Sequence, residues 1–337
     1  MKKRLCIFIL MLVMFMVTAC STDGSSGHSD GEKSEKSTTY TIGATQIVEH
    51  PSLDAAYEGF QDALADAGLD VEYDFQSAQN DQNNVSTISN NFVSANVDLI
   101  FANSTPSALG AMQATSDIPI VFTSVTDAVD AGLVSSMDEA GKNVTGVVDL
   151  HPEAIVKTVE FIDAYFSGST VGLIYNSGEQ NSIAQVESVQ DAGAGTSLRF
   201  AERTVSNSAE VHQAATSIVS DVDVFYIVTD NTVVSALDSV VGVANDQEIP
   251  LIVGEPDSLE KGGFATYGID YYTIGYRTGE MAVDILSGEK DVSEIPPEYP
   301  PEIQLFINKQ AAKEQGIEWN SDWDEAEFIE TSPVDRE

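Results

Sequence analysis

The feature that most restricts the fold is a repetition on the scale of a whole domain. Residues 222–237 read VDVFYIVTDNTVVSAL and residues 97–112 read VDLIFANSTPSALGAM. Each opens on Val-Asp, runs through an apolar stretch, breaks into a polar burst and then resumes a helical pattern. Two further pairs keep step with them: TIGATQIVEH from Thr41 with TVGLIYNSGE from Thr170, and IPIVFTSVTD from Ile118 with IPLIVGEPDS from Ile249. The offsets are 125, 129 and 131 residues, the period of a domain and not of a solenoid. Three matches in one order imply two structurally similar lobes.

Apolar runs such as VFYIV suit strands buried on both faces. The pattern predicts, in the first lobe, strands at 40–45, 70–75, 97–102, 118–123 and 143–148, with helices at 52–67, 82–95 and 105–115. In the second it predicts helices at 152–165, 181–193, 208–218 and 231–246, and strands at 170–175, 198–204, 222–228, 249–253 and 263–267. Such alternation gives an α/β chain with a doubly wound parallel sheet in each lobe. Ligands of these sheets bind beyond the carboxyl ends of the strands, and there the polar segments fall: 46–50, 103–107, 123–127, 176–182, 229–232, 255–258 and 268–270. A helix cap needs one polar residue, whereas Thr229-Asp230-Asn231-Thr232 supplies four. Facing lobes would bring all these segments to one cleft.

No lysine or arginine occurs in any of these segments. An anionic group would rest on helix N-termini and on the hydroxyls of Ser104, Thr105 and Ser107. Acids are plentiful (Asp127, Asp230, Glu255, Asp257 and Asp270) and suit an ammonium. The two together point to a zwitterion, an α-amino acid. Tyr175, Tyr267, Tyr271 and Tyr272 flank the segments and could cover an aromatic side chain, although each fits ordinary packing as well, and each Asp fits a cap or turn. There is no GxxxxGK[ST], GxSxG or HExxH, and no Gly-rich dinucleotide loop. His28, His50, His151 and His212 are scattered, and only His50 lies in a cleft segment. Neither enzyme activity nor a cofactor or metal is expected. A hydrolase built on paired acids is the alternative.

The chain opens MKKRLCIFILMLVMFMVTAC, a basic start and an apolar stretch too short to span a membrane comfortably. This is a secretory signal, and Val17-Thr18-Ala19-Cys20 resembles a bacterial lipobox whose cysteine is acylated. Cys6 would leave with the signal, so disulfides, thiolate metal sites and a Cys nucleophile are excluded from the mature chain. Residues 21–39 lack large apolar side chains apart from the threonine methyls and read as a flexible tether. The formal net charge of −39 becomes more negative still once Lys2, Lys3 and Arg4 are removed. Nucleic acid is a poor partner for such a body. The acids are spread along the chain, as in a protein of a saline or alkaline habitat. Residues 321–337 are acidic and weakly patterned, and read as a frayed tail.

Over residues 40–318 the chain resembles the substrate-binding lipoproteins of ABC importers with the type I periplasmic-binding-protein fold, tryptophan/tyrosine-uptake branch. The resemblance is carried by TQIVEHPSLDAA, ANSTPSA, IPIVFTSVTDAVDAGLV, NVTGVVDL, YNSGEQNS, TVSNSAEV, TDNTVVSAL and GEPDSLEKGGFATYGIDYYTIGYRTGEMA. The family often has Ala at Ser107 and an acid at Pro256. Carried over by position, the resemblance implies ligand contacts from Gln46, Ser104, Thr105, Ser107, Thr126, Asp127, Asn176, Asn181, Ser182, Thr229, Asp230, Asn231, Asp257 and Asp270. It implies three crossings between the lobes, near 146–152, 265–270 and 296–304. Lobe one is then 40–148 plus 271–295, and lobe two 149–268 plus 303–320. The implied protein is a lipid-anchored, extracytoplasmic monomer that closes on an aromatic L-amino acid and delivers it to a permease and its ATPase. A sensory receptor built on the same body is the other reading.

Overall fold

The computed structural model describes residues 38–332. The expectations about the signal, Cys20, His28 and residues 333–337 lie outside the described residues. Lobe one opens with β1 (Thr39–Gln46), α1 (Pro51–Asp66), β2 (Asp70–Ser77), α2 (Gln82–Ala95), β3 (Leu99–Asn103), α3 (Thr105–Ala114), β4 (Ile120–Val125) and β5 (Val144–Val148). Its sheet is parallel, in the order β2-β1-β3-β4-β5. The chain then crosses to α4 (Ala154–Tyr165), β6 (Thr170–Asn176), α5 (Gln180–Gly193), β7 (Arg199–Val205), α6 (Val211–Ile218), β8 (Val224–Ile227), α7 (Asn231–Val234), α8 (Leu237–Gln247), β9 (Leu251–Val253), α9 (Asp257–Glu260) and β10 (Ala265–Gly268). The second sheet runs β7-β6-β8-β9-β10, the same winding as the first. The repetition in the sequence is thus a repetition of topology.

The physical reason is burial. Every residue of β3, β4, β5 and β8 is buried, which only a sheet covered on both faces allows. The edge strands β2 and β7 carry the exposed, polar positions. Helices pack on both faces of each sheet, giving separate apolar clusters about Phe92 and Phe101 in lobe one, and about Phe225 and Phe264 in lobe two.

After β10 the chain crosses back, and α10 (Tyr271–Ser287) packs along α1. Glycines make that contact possible. A Cβ at Gly59 would stand 2.2 Å from the Tyr272 carbonyl, and one at Gly275 1.9 Å from the Ala56 carbonyl. The third crossing passes Glu298, whose backbone pairs with Gly146 (2.9 Å) and Val148 (3.0 Å), while Arg277 grips its carboxylate at 2.7 and 2.9 Å. The chain then adds β11 (Gln304–Ile307), antiparallel to β10, then α11 (Lys309–Glu314) and β12 (Glu327–Phe328).

Three elements depart from expectation. The helix predicted over 231–246 is two, broken at Ser235–Ala236 where Ser235 Oγ donates to the Thr232 carbonyl. The helix predicted from 208 begins as a 3-10 turn that Asn207 caps. Residues 321–332 are not frayed. Trp323 is 2 % exposed among Phe161, Tyr165 and Phe264, β12 pairs with β11, and Lys309 lies over the rings of Trp319 and Phe328. Aromatic contacts hold this segment and leave its acids in solvent, a pattern without helical or strand periodicity.

Candidate functional site

The carboxyl ends of both sheets face one cleft, whose enclosed free space is small, about 30 Å³, and which opens to solvent at its mouth. Val48, His50, Ser52, Leu53, Ser124 and Thr126 line it from lobe one, and Asn181, Thr229, Asp230, Asn231, Val234 and Glu255 from lobe two. Asp149 and Tyr271 close it at the hinge. None of these residues is a lysine or arginine, and three are acids. Among the described residues no cluster of His, Asp and Glu is placed to hold a metal ion.

His50 caps α1, its Nδ1 accepting the Ser52 amide at 3.2 Å. With Nδ1 an acceptor, the ring is neutral and carries its proton on Nε2. Burial, with the Lys261 charge, lowers its pKa to about 3. Its Nε2 lies 3.5 Å from Glu255 Oε1 across the cleft. Glu255 is 3 % exposed. Ser258 donates to its Oε1, and Oε2 has no partner. Burial pushes its pKa up to about 8, against the Ser258 bond.

Asp149 follows β5. Its Oδ2 accepts the Tyr271 hydroxyl at 2.8 Å, and its Oδ1 is shielded from solvent without a partner. Burial raises it to about 6. Asp230 is fully buried but occupied: Oδ1 takes the Val233 amide at 2.7 Å and Oδ2 the Asn176 amide at 2.6 Å. Burial and the Glu179 charge push it up to about 7 against those amides. On the lobe-one wall, Ser124 sits at φ 56° where the β4–β5 register slips, and its Oγ is unpartnered. A left-handed non-glycine residue at such an irregularity is a re-aimed side chain.

Of the residues predicted to contact ligand, Thr126, Asn181, Thr229, Asp230 and Asn231 line the space. The others stand behind it or apart. Gln46 is tied to Asp54 and Asn103. Ser104 caps α3 through the Ser107 amide and bonds the Ser107 hydroxyl, and Thr105 accepts the Thr126 amide. Asn176 bonds Thr232 and the Asp230 carboxylate, and Ser182 is buried beneath them. Asp127 and Asp270 are exposed caps, of the 127–130 turn and of α10. Asp257 accepts the Ser52 hydroxyl at 2.5 Å, one lobe to the other. Tyr271 alone of the four tyrosines lines the cleft. Tyr175 bonds Glu202, Tyr272 bonds Asp62, and Tyr267 packs on Phe161.

Sequence reasoning placed Val48 and Ser124 in cleft segments without naming them, and missed Ser52, Leu53, Asp149 and Val234 altogether. Asp149 had a signal: it is the first residue after an apolar strand, as the other cleft segments are.

The lobes touch. Besides Ser52–Asp257, Asn80 Nδ2 donates to Thr232 Oγ1 at 2.8 Å, Gln185 Nε2 to Thr126 Oγ1 at 3.4 Å, and Gln180 bonds Asp130. Two doubly wound lobes, three crossings and an acidic cleft between strand ends define a solute-binding protein of the type that closes about its ligand. Residues 41–324 match the family described as ABC transporter substrate binding protein, and the chain belongs to that family. It is therefore an extracytoplasmic receptor for a small molecule, with permease and ATPase subunits as partners.

A tyrosine-binding protein of Clostridioides difficile is 42 % identical over 319 residues, 93 % of this chain and 92 % of that one. A Streptococcus pneumoniae ABC domain solved with L-Trp is 34 % identical, with 87 % and 100 % of the chains covered and a TM-score of 0.82. The ligand-free, open form of a Clostridium difficile substrate binding protein is 38 % identical over the same shares, yet its TM-score is 0.65. The chain thus matches the ligand-bound relative better in shape, although the open one is nearer in sequence. Its lobes are in a closed arrangement.

Proposed function

We propose that the cleft captures an aromatic L-amino acid as its zwitterion for import. One observation carries this reading: Glu255 Oε2 and Asp149 Oδ1 are buried without partners in a pocket that no lysine or arginine lines. An ammonium satisfies both. The unpartnered Ser124 hydroxyl, the Thr126 hydroxyl and His50 Nε2–H are donors on the opposite wall for the carboxylate. Val48, Leu53, Val234 and Tyr271 supply apolar surface for the side chain. A ligand held from both lobes selects the closed form. The names of the two relatives, tyrosine-binding and L-Trp-bound, support the same class.

The role is capture without chemistry. The protein works as a monomer tethered through an acylated Cys20, in a habitat whose salt screens its acidic surface. Calorimetric titration in molar KCl tests the ligand. L-Tyrosine or L-tryptophan should bind, and the matching aromatic acid without its amino group should bind at least tenfold more weakly. Equal binding of the two would refute the zwitterion.

A further inference from the structure

The pocket has too many acids for its ligand. Both oxygens of Asp230 are taken by backbone amides, but Glu255 and Asp149 each keep one buried oxygen free in the same pocket. One ammonium carries a single positive charge, and the lining adds none. His50 cannot supply it, because its Nδ1 already accepts the Ser52 amide and the ring is neutral.

The surroundings of the pair can be followed element by element. Glu255 is faced by His50 from the head of α1, by Ser258 and Asp257 from α9, by Lys261 just after it, and by Asp149 from the end of β5. Lys261 is the one cation acting on it among the described residues, and it does not line the cleft. Asp149 is faced by the Tyr271 hydroxyl from the head of α10 and by Glu255. Two buried carboxylates in one pocket that no cation lines resist ionising together, and Lys261, outside the lining, offsets this only in part.

We propose that ligand capture releases a proton: in the closed cleft without ligand Glu255, beside Asp149, holds it and surrenders it when an ammonium enters. The proton leaves a carboxyl O–H for solvent, and ammonium N–H groups donate to the freed oxygens. The ammonium takes the place of the proton's charge beside the two carboxylates, and because the ligand carboxylate enters with it the net charge of the pocket falls by one. This inference rests on the reading of an ammonium-bearing ligand.

The sign follows from the direction of the shifts. Burial holds Glu255 protonated up to about pH 8, and an ammonium beside it lowers that value. Below pH 8 the ligand must therefore displace a proton, and affinity falls as pH falls. Above it the exchange vanishes.

Titration calorimetry of the full chain with L-tryptophan and L-tyrosine, in buffers of different ionisation heat, reads the exchange directly. At pH 7 about one proton should be released per ligand, and close to none at pH 9. From pH 8 to 6.5 the wild-type affinity should weaken by somewhat more than about tenfold, the slope approaching tenfold per pH unit. Glu255→Gln combined with Asp149→Asn should remove the release wherever binding survives. Binding with heats that are the same in every buffer at pH 7 would overturn the proposal, as would undiminished release by the double variant. Should neither amino acid bind, by heat or by thermal shift, it is the ligand reading beneath the proposal that falls.

Discussion

Asp230→Asn separates an acid that builds the cleft from one that serves the ligand. Each Asp230 oxygen accepts a backbone amide, Asn176 at 2.6 Å and Val233 at 2.7 Å, and the residue is wholly buried. Asparagine offers a single acceptor. Its NH₂ would face one of the two amides, leaving a buried donor unpaired at about 1–3 kcal/mol. Weakening of the α7 cap adds to this, so the expected loss is about 2–3 kcal/mol. For a body of this size that lowers the ligand-free melting temperature by roughly 5 °C. Scanning calorimetry at pH 8, where Asp230 is ionised in the wild type, measures it. At pH 6 the wild type carries a protonated carboxyl, since its pKa is pushed up to about 7, and because a raised carboxyl loses stability as pH rises through that value the difference should be larger there than at pH 8. Asp257→Asn is the control. That carboxylate is half-buried and touches the Ser52 hydroxyl across the cleft, so its loss should cost less than about 1 kcal/mol. Equal melting of wild type and Asp230→Asn at pH 8 would refute the reasoning.

Glu255 makes ligand-free stability fall with rising pH, because the unfolded carboxyl ionises above 4.5 while the folded one stays protonated to about 8. His50 opposes this only below its unfolded value of 6.5, while Asp230, pushed up to about 7, adds to the fall between pH 6.5 and 8. Urea unfolding there should show a loss that Glu255→Gln reduces by up to about 2 kcal/mol. Gly275→Ala places a Cβ 1.9 Å from the Ala56 carbonyl and should destabilise by about 1–3 kcal/mol, read from the denaturant midpoint. With a formal charge of −39, the melting temperature should climb from dilute buffer to molar KCl, and a flat profile would remove the salt-adapted reading. Cys20→Ser should leave an unprocessed or freely secreted protein in cell fractionation, in contrast to a membrane-bound wild type.

Strand ends were legible because a fully buried strand writes a continuous apolar run, and the polar residue that stops it has to face the cleft or a cap. Thr229-Asp230-Asn231-Thr232 shows what that signal leaves undecided. Its surplus of polar groups over a single cap is largely taken up inside lobe two. The Thr229 amide and hydroxyl both go to Gln185 Oε1, Asp230 caps α7, and Asn231 and Thr232 together donate four bonds to Glu179. Which oxygens are left unpaired is fixed by partners more than 100 residues away, such as Ser52 on Asp257 and Tyr271 on Asp149. No local pattern encodes those pairings. Asp149 escaped notice because Leu150 and His151 follow it with no polar run, although its position after β5 is that of every other cleft segment. On the proposed reading an acid serves the ligand where packing leaves one of its oxygens both buried and unpaired, and in this cleft Glu255 and Asp149 meet that condition while Asp230 does not.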